Sequence, residues 1–267
     1  MSLHFERVST GGDVASTVVL IHGVGDSLEA WDDVIQSLPE GFDIIRYDLR
    51  GHGRSEKPPG PYRLADFVED HVALLARLGV GRAHVVGYSL GGLIAQAIAL
   101  FAPDSVERLV LLSCIACRTP DEREAVQKRL ETLEQEGAGG IAGASAERWF
   151  TGAFRRANPD KVRQQMERLK ENDPNAYLAA YRVLATSDLC DQLTRIGHPT
   201  LVMTGEHDVG SPPRMARSMS ERIDGSQLII LEGQKHSVLT EVPDVVAHEI
   251  SRFLRVPETQ RTVLEVT

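Results

Sequence analysis

Cysteine is scarce, at 3 in 267 residues, and that scarcity excludes a disulfide-stapled scaffold. The odd count leaves at least one thiol free, and a reducing compartment fits such usage. Cys114 and Cys117 form a C-x-x-C pair, but it follows a predicted strand and no second pair accompanies it. Core or loop packing is therefore the expected role, rather than redox or metal chemistry. Basic charge is also short. The formal net charge is -9, with no cluster of Lys and Arg interleaved with aromatics, which argues against a nucleic-acid face. Long apolar runs are missing: the longest, near 109–117, is too short to cross a bilayer. Residues 1–20 lack the basic start, apolar core and small-residue cleavage site of a secretory leader, so a cytoplasmic protein with no membrane partner is expected. There are no internal repeats, no Walker or dinucleotide fingerprint and no convincing metal-ligand spacing, so no cofactor and no metal are expected. The expected partner is a small-molecule substrate, and a homo-oligomer stays open.

What is present is alternation. Buried, β-rich runs at 17–21, 42–47, 83–86, 107–113, 200–204 and 226–231 are separated by helical patterns at 27–38, 64–78, 90–102, 212–220 and 243–254. Near-continuous apolar strands between helices predict an α/β fold, a mainly parallel sheet covered by helices on both faces. From 118 to 189 the alternation stops, and 120–135, 159–172 and 174–186 read as helices without an accompanying strand. This interval is expected to be a helical cap inserted into a core made of 1–117 and 190–267. Gly137-Ala138-Gly139-Gly140 within it predicts a loop, and the polar tail from Pro257 predicts disorder.

Chemistry in such sheets gathers at the carboxyl ends of the strands. There Gly87-Tyr88-Ser89-Leu90-Gly91 places a serine between two glycines, where a β-branched run turns into an apolar helix. A serine hydroxyl needs a rigid turn, a base and N–H groups facing the developing oxyanion before it is a useful nucleophile. Glycines two before and two after it allow strand and helix to approach closely. Three further strand ends supply the rest. His22-Gly23-Val24-Gly25 is a glycine-rich turn able to aim a backbone N–H at a reacting carbonyl, although an ordinary turn has the same composition. Asp208 lies just past the 200–204 run, where an acid could equally cap the next helix. His236 follows the last predicted strand, where a loop histidine is usually only solvated. The order Ser89, Asp208, His236 nevertheless supplies a nucleophile, an orienting acid and a base.

With these motifs assembled, the chain resembles the α/β-hydrolase family over nearly all of its length outside the cap. The likeness is carried by the His22-Gly23 turn, Tyr47-Asp48-Leu49-Arg50-Gly51-His52-Gly53-Arg54-Ser55, the Ser89 turn, Gly205-Glu206-His207-Asp208, and the His236 loop ending Glu241-Val242-Pro243. It implies Ser89 as nucleophile, His236 as general acid and base, Asp208 as its orienting partner, and the main-chain N–H groups of Val24 and Leu90 as the oxyanion hole. His52 is then scaffolding. Serine in place of aspartate at the turn sets aside the haloalkane dehalogenases and epoxide hydrolases of this fold. Arg148-Trp149-Phe150-Thr151, Asn175-Ala176-Tyr177 and the segment from Gly205 to Pro212 look like 3-oxoadipate enol-lactonases. The expectation is a serine hydrolase of a small ester or lactone, acting through an acyl-enzyme, with a carboxylate-bearing enol-lactone as one candidate substrate. Trp149 is the candidate wall of the pocket, and Arg148, Arg155, Arg156 and Arg182 are candidate partners of a substrate carboxylate. A carboxylesterase, a cofactor-free perhydrolase, a carbon-carbon bond hydrolase and a slow-turnover ligand receptor remain as alternatives.

Overall fold

A computed structural model describes residues 1–13 and 16–255; the predicted disorder beyond Pro257 lies outside them. Seven strands form one sheet: β1 (Phe5–Ser9), β2 (Ser16–Ile21), β3 (Phe42–Tyr47), β4 (Ala83–Tyr88), β5 (Val106–Leu112), β6 (Thr200–Gly205) and β7 (Gln227–Leu231), in the order β1-β3-β2-β4-β5-β6-β7. All pairings are parallel except that of β1 with β3. Six of the strands match predicted runs to within two residues at either end. β1 was not predicted, because an antiparallel edge strand reading Phe-Glu-Arg-Val-Ser is half exposed and carries no apolar run.

The period-two alternation of the strands sorts their side chains to two faces. Val19 and Ile21 of β2 pack with α2 (Leu64–Arg77), α3 (Leu90–Phe101) and α8 (Pro213–Arg222). Val18 and Leu20 pack with Trp31, α1 (Asp32–Ser37) and α10 (Pro243–Leu254). The predicted helix at 27–38 is divided, with a one-turn 3-10 segment at Leu28–Trp31 ahead of α1. α3 is apolar nearly all round, Gln96 excepted, and every residue from Leu90 to Leu100 is buried.

Between β5 and β6 lie α4 (Pro120–Trp149), α5 (Gly152–Ala157), α6 (Pro159–Glu171) and α7 (Pro174–Thr186), with a small core of their own that includes Leu130, Leu133, Phe150 and Leu169. The loop predicted at Gly137–Gly140 is corrected: only Gly137 leaves helical geometry (φ 67, ψ -171), and α4 resumes at once, with Ile141 buried on its far side. Thr119 starts α4 through a capping box with Glu122, and Pro120 takes the first helical position, where no N–H is needed.

At least one thiol is free, as expected, but the reading of Cys117 as a core or loop cysteine is corrected. Cys117, at the entrance to the insertion, is bonded to Cys190 at its exit, whereas Cys114 stays free and buried. Burial pushes the Cys114 thiol up to about 12, so it behaves as a core residue. Asp188 reinforces the junction: its carboxylate accepts from the backbone N–H of Cys117 (2.9 Å), Arg118 (2.9 Å) and Cys190 (3.1 Å). Arg118 in turn donates to the carbonyls of Leu184 (2.9 Å) and Ser187 (3.1 Å), at the end of α7. Protein unfolded without reductant should therefore show one titratable thiol, and three after reduction. Cys117→Ser should lower stability to denaturant by up to about 4 kcal/mol, the upper range for a closed loop of this size.

Candidate active site

The β4–α3 turn decides the geometry of the site. Ser89 has φ 55 and ψ -115, a conformation that non-glycine residues rarely hold and that costs about 1–3 kcal/mol. The cost is sustained because its neighbours permit no other path. A Cβ on Gly87 would stand 2.2 Å from the Gly91 carbonyl oxygen, and one on Gly91 would stand 2.2 Å from the Ile21 carbonyl oxygen. A Cβ on Gly92 would stand 2.3 Å from the Cβ of Cys114. The glycines therefore bring α3 against β2, β4 and the β5 loop at once, and the Ser89 side chain projects from the sheet edge.

His236 Nε2 lies 3.2 Å from Ser89 Oγ, and His236 Nδ1 lies 2.7 Å from Asp208 Oδ2. Asp208 is buried, and its other oxygen accepts from the N–H groups of Gly210 (2.8 Å) and Ser211 (2.9 Å). The turn after β6 thus fixes the carboxylate while leaving one oxygen for the imidazole. With Asp208 accepting, Nδ1 carries the proton and Nε2 is free to accept from the serine hydroxyl.

The His22 turn stands opposite. His22 Nδ1 donates to the Gly23 carbonyl (2.7 Å), and Nε2 accepts from Leu49 N–H (3.0 Å). Only a neutral ring can do both, and burial lowers its pKa accordingly. His52 is equally buried and is held down to about 3 by burial and by His22 beside it. Asp48 accepts from Leu28 N–H and Arg54 N–H, each at 2.8 Å. This network fixes the turn that carries Val24, and Gly23 passes close enough to Ser89 that a Cβ there would be 3.2 Å from the serine's own. Leu90 opens α3, so its N–H is among those a helix leaves without an internal acceptor.

Ser89, His236, Val24 and Trp149 line a cavity of about 100 Å³ between the sheet edge and the inserted helices. The Trp149 ring centroid is 6.4 Å from that of His236. Of the four arginines considered from sequence, only Arg148 lines this cavity; Arg155 pairs with Glu147 at 3.6 Å and Arg182 with Glu134. Two others were missed, Arg118 and Arg129. Arg129 lies three residues after Val126, beside a stripe continued by Leu130 and Leu133, a spacing that marks the inward side of α4 but not the cavity beyond it. Burial lowers the Arg148 guanidinium, and Arg129 beside it lowers it further; among the described residues neither has an acidic partner. Arg118 falls to about 10 through burial, opposed by Asp188. Among the described residues no group of His, Cys, Asp or Glu is arranged to hold a metal ion.

Residues 16–243 match the family described as the alpha/beta hydrolase fold. The chain is 29% identical to 3-oxoadipate enol-lactonase 2 of Acinetobacter baylyi, over 94% of this chain and 97% of that one. It is 31% identical to (E)-2-((N-methylformamido)methylene)succinate hydrolase of the same organism, over 89% of each. Among solved structures, the enol-lactonase from Burkholderia xenovorans LB400 superimposes with a TM-score of 0.87 at 28% identity, over 94% of this chain and 96% of that one.

The tight backbone contact at the turn makes a stability prediction. Gly91→Ala should cost more than about 3 kcal/mol in denaturant unfolding, because the clash is with backbone that cannot give way. Gly143→Ala, at an exposed position of α4 with nothing within 4 Å of the new methyl, should instead gain about 0.5–1 kcal/mol.

Proposed function

The chain belongs to the α/β-hydrolase fold family, and from that premise we propose that it cleaves small esters or lactones through an acyl-enzyme formed on Ser89. The observation that carries this proposal is the continuous line Ser89–His236–Asp208, contributed by three different strand ends and opening into one cavity. His236 takes the proton of Ser89 as Oγ attacks the substrate carbonyl. The resulting tetrahedral oxyanion lies against the N–H groups of Val24 and Leu90. Collapse expels the alcohol, or opens the ring of a lactone, and His236 returns its proton to the leaving oxygen. Water then enters, gives a proton to His236 and attacks the acyl carbon, and the second collapse releases the acid and restores Ser89. Asp208 holds the imidazole in the required tautomer and stabilises the imidazolium in both halves.

Two cations without acidic partners in a partly apolar cavity favour a substrate with a carboxylate distant from the scissile bond. Arg148 and Arg129 would receive it, with Trp149 and Tyr177 packing against the acyl part. Two relatives named for 3-oxoadipate and for a substituted succinate, both carboxylates, support this choice.

Acid release measured over a panel of lactones, enol-lactones, short acyl esters and dienones should single out one of the first three classes with many turnovers; tight binding without turnover would mark a receptor instead. Ser89→Ala should lose roughly a millionfold in turnover together with labelling by a serine-directed phosphonate, and Asp208→Asn roughly ten-thousandfold. Retention of more than about a thousandth of activity in Ser89→Ala would exclude covalent catalysis at that residue. Arg148→Gln should raise KM for a carboxylate-bearing ester by about 10- to 100-fold and leave its neutral methyl ester nearly unchanged, the magnitude expected for hydrogen bonds to a charged group.

A further inference from the structure

The catalytic groups all lie outside the inserted helices, yet the loop that carries His236 is bound to them along one edge. Lys235 Nζ donates to the Glu147 carbonyl at 2.6 Å, and Ser237 N–H donates to the Trp149 carbonyl at 2.9 Å. The carboxylate of Glu241 then accepts twice from Thr151, from its N–H at 2.8 Å and from its hydroxyl at 2.6 Å. Residues 147 and 149 end α4 and residue 151 caps the start of α5, and their partners straddle His236 and run on to the end of the short helix α9 (Val238–Glu241). The Thr151 hydroxyl is fully used, since its oxygen also accepts from Phe154 N–H (3.1 Å) and so starts α5. Glu241 is half-buried, and no other bond to its carboxylate is seen among the described residues.

The core grips the same loop from the other side. Gln234 O accepts from His207 N–H at 2.7 Å, and Tyr88 OH donates to the His236 carbonyl at 3.1 Å. These contacts fix the backbone, and Asp208 fixes one ring nitrogen. The tilt of the imidazole toward Ser89 is left to what packs beside the ring, namely Tyr88 at 5.3 Å and Trp149 at 6.4 Å between centroids. At 3.2 Å, the Ser89–His236 contact stands at the long end of hydrogen-bond reach, where a small outward drift breaks it.

Building on the proposed role of His236, we infer that Glu241 is a positioning residue: by clamping Thr151 it holds the Trp149 segment against the histidine loop and keeps Nε2 within reach of Ser89. The inserted helices then contribute to the rate for every substrate, in addition to any part they have in choosing among them.

The test is kcat on a small acetate ester, expressed per phosphonate-titrated Ser89 so that misfolded protein does not count, together with the labelling rate itself. Thr151→Val, which keeps the shape and removes only the hydroxyl, and Glu241→Gln should each lower both quantities by about 10- to 100-fold with KM changed less than about threefold, the scale of a displacement near 1 Å. Thr151→Ser, which restores the hydroxyl, should recover most of the rate. Unchanged kcat and labelling in both variants, or a loss confined to KM for larger substrates, would overturn the inference and leave the segment a wall of the pocket alone. An equal loss in Thr151→Ser would also overturn it, because the clamp would then be irrelevant. The reading of Ser89 as nucleophile fails separately, if Ser89→Ala still takes the label.

Discussion

The close approach of three backbones at the β4–α3 turn is the constraint on which the rest of the site depends. Gly87 and Gly91 let the first turn of α3 lie directly against β4 and β2, and no side chain larger than hydrogen fits at either place. That contact holds Ser89 at a positive φ, immediately before Leu90 opens α3. A serine on an ordinary strand-to-helix connection would not be held in that conformation. The buried helix α3 anchors the arrangement from behind, so the strain at one residue is spread over a core that cannot relax locally.

Around this turn, the other groups are placed by the parallel sheet itself. Parallel strands deliver their following loops to the same edge, so Asp208 after β6 and His236 after β7 reach Ser89 although they are distant in sequence. The His22 turn after β2 arrives from the opposite side. It is stiffened by a neutral histidine that ties it to Leu49 and by Asp48, which ties together Leu28 and Arg54. The inserted helices reach both sides: Asn172 donates to the Gly25 carbonyl at 2.9 Å, and the end of α4 borders the His236 loop.

These relations explain which parts could be read from sequence. Strands buried on both faces announce themselves as unbroken apolar runs, and the loops that follow them carry the candidate catalytic residues, so the fold class and the grouping of Ser89, Asp208 and His236 were accessible without coordinates. β1 was not, since its outer edge faces solvent and its charged residues pair locally, Arg7 with Asp43 at 2.7 Å. The continuation of α4 past Gly137 was hidden because glycine content measures helix cost but not the burial of Ile141 that offsets it. The pairing of Cys117 with Cys190 depends on the two ends of a 73-residue separation meeting, which no local pattern records. Arg118 and Arg129 were overlooked for a related reason: which face of an inserted helix meets a cavity is decided by the helices packed beside it.

The junction at Cys117 and Cys190 also bears on how this chain can change over generations. Its Cα atoms are 4.7 Å apart, so the inserted helices leave and rejoin the sheet at practically one point. Lengthening, shortening or replacing them imposes no new spacing on β5 and β6, whose register is set by their own pairing. Mutational drift in most of the insertion is thereby insulated from the fold. The exceptions are the few positions where the insertion touches the loops bearing Val24 and His236. A lineage of such proteins should diversify freely over the outer surface of these helices while keeping the end of α4 and the Asn172 contact nearly fixed, and new pockets would arise by exchange of the material between those two anchors.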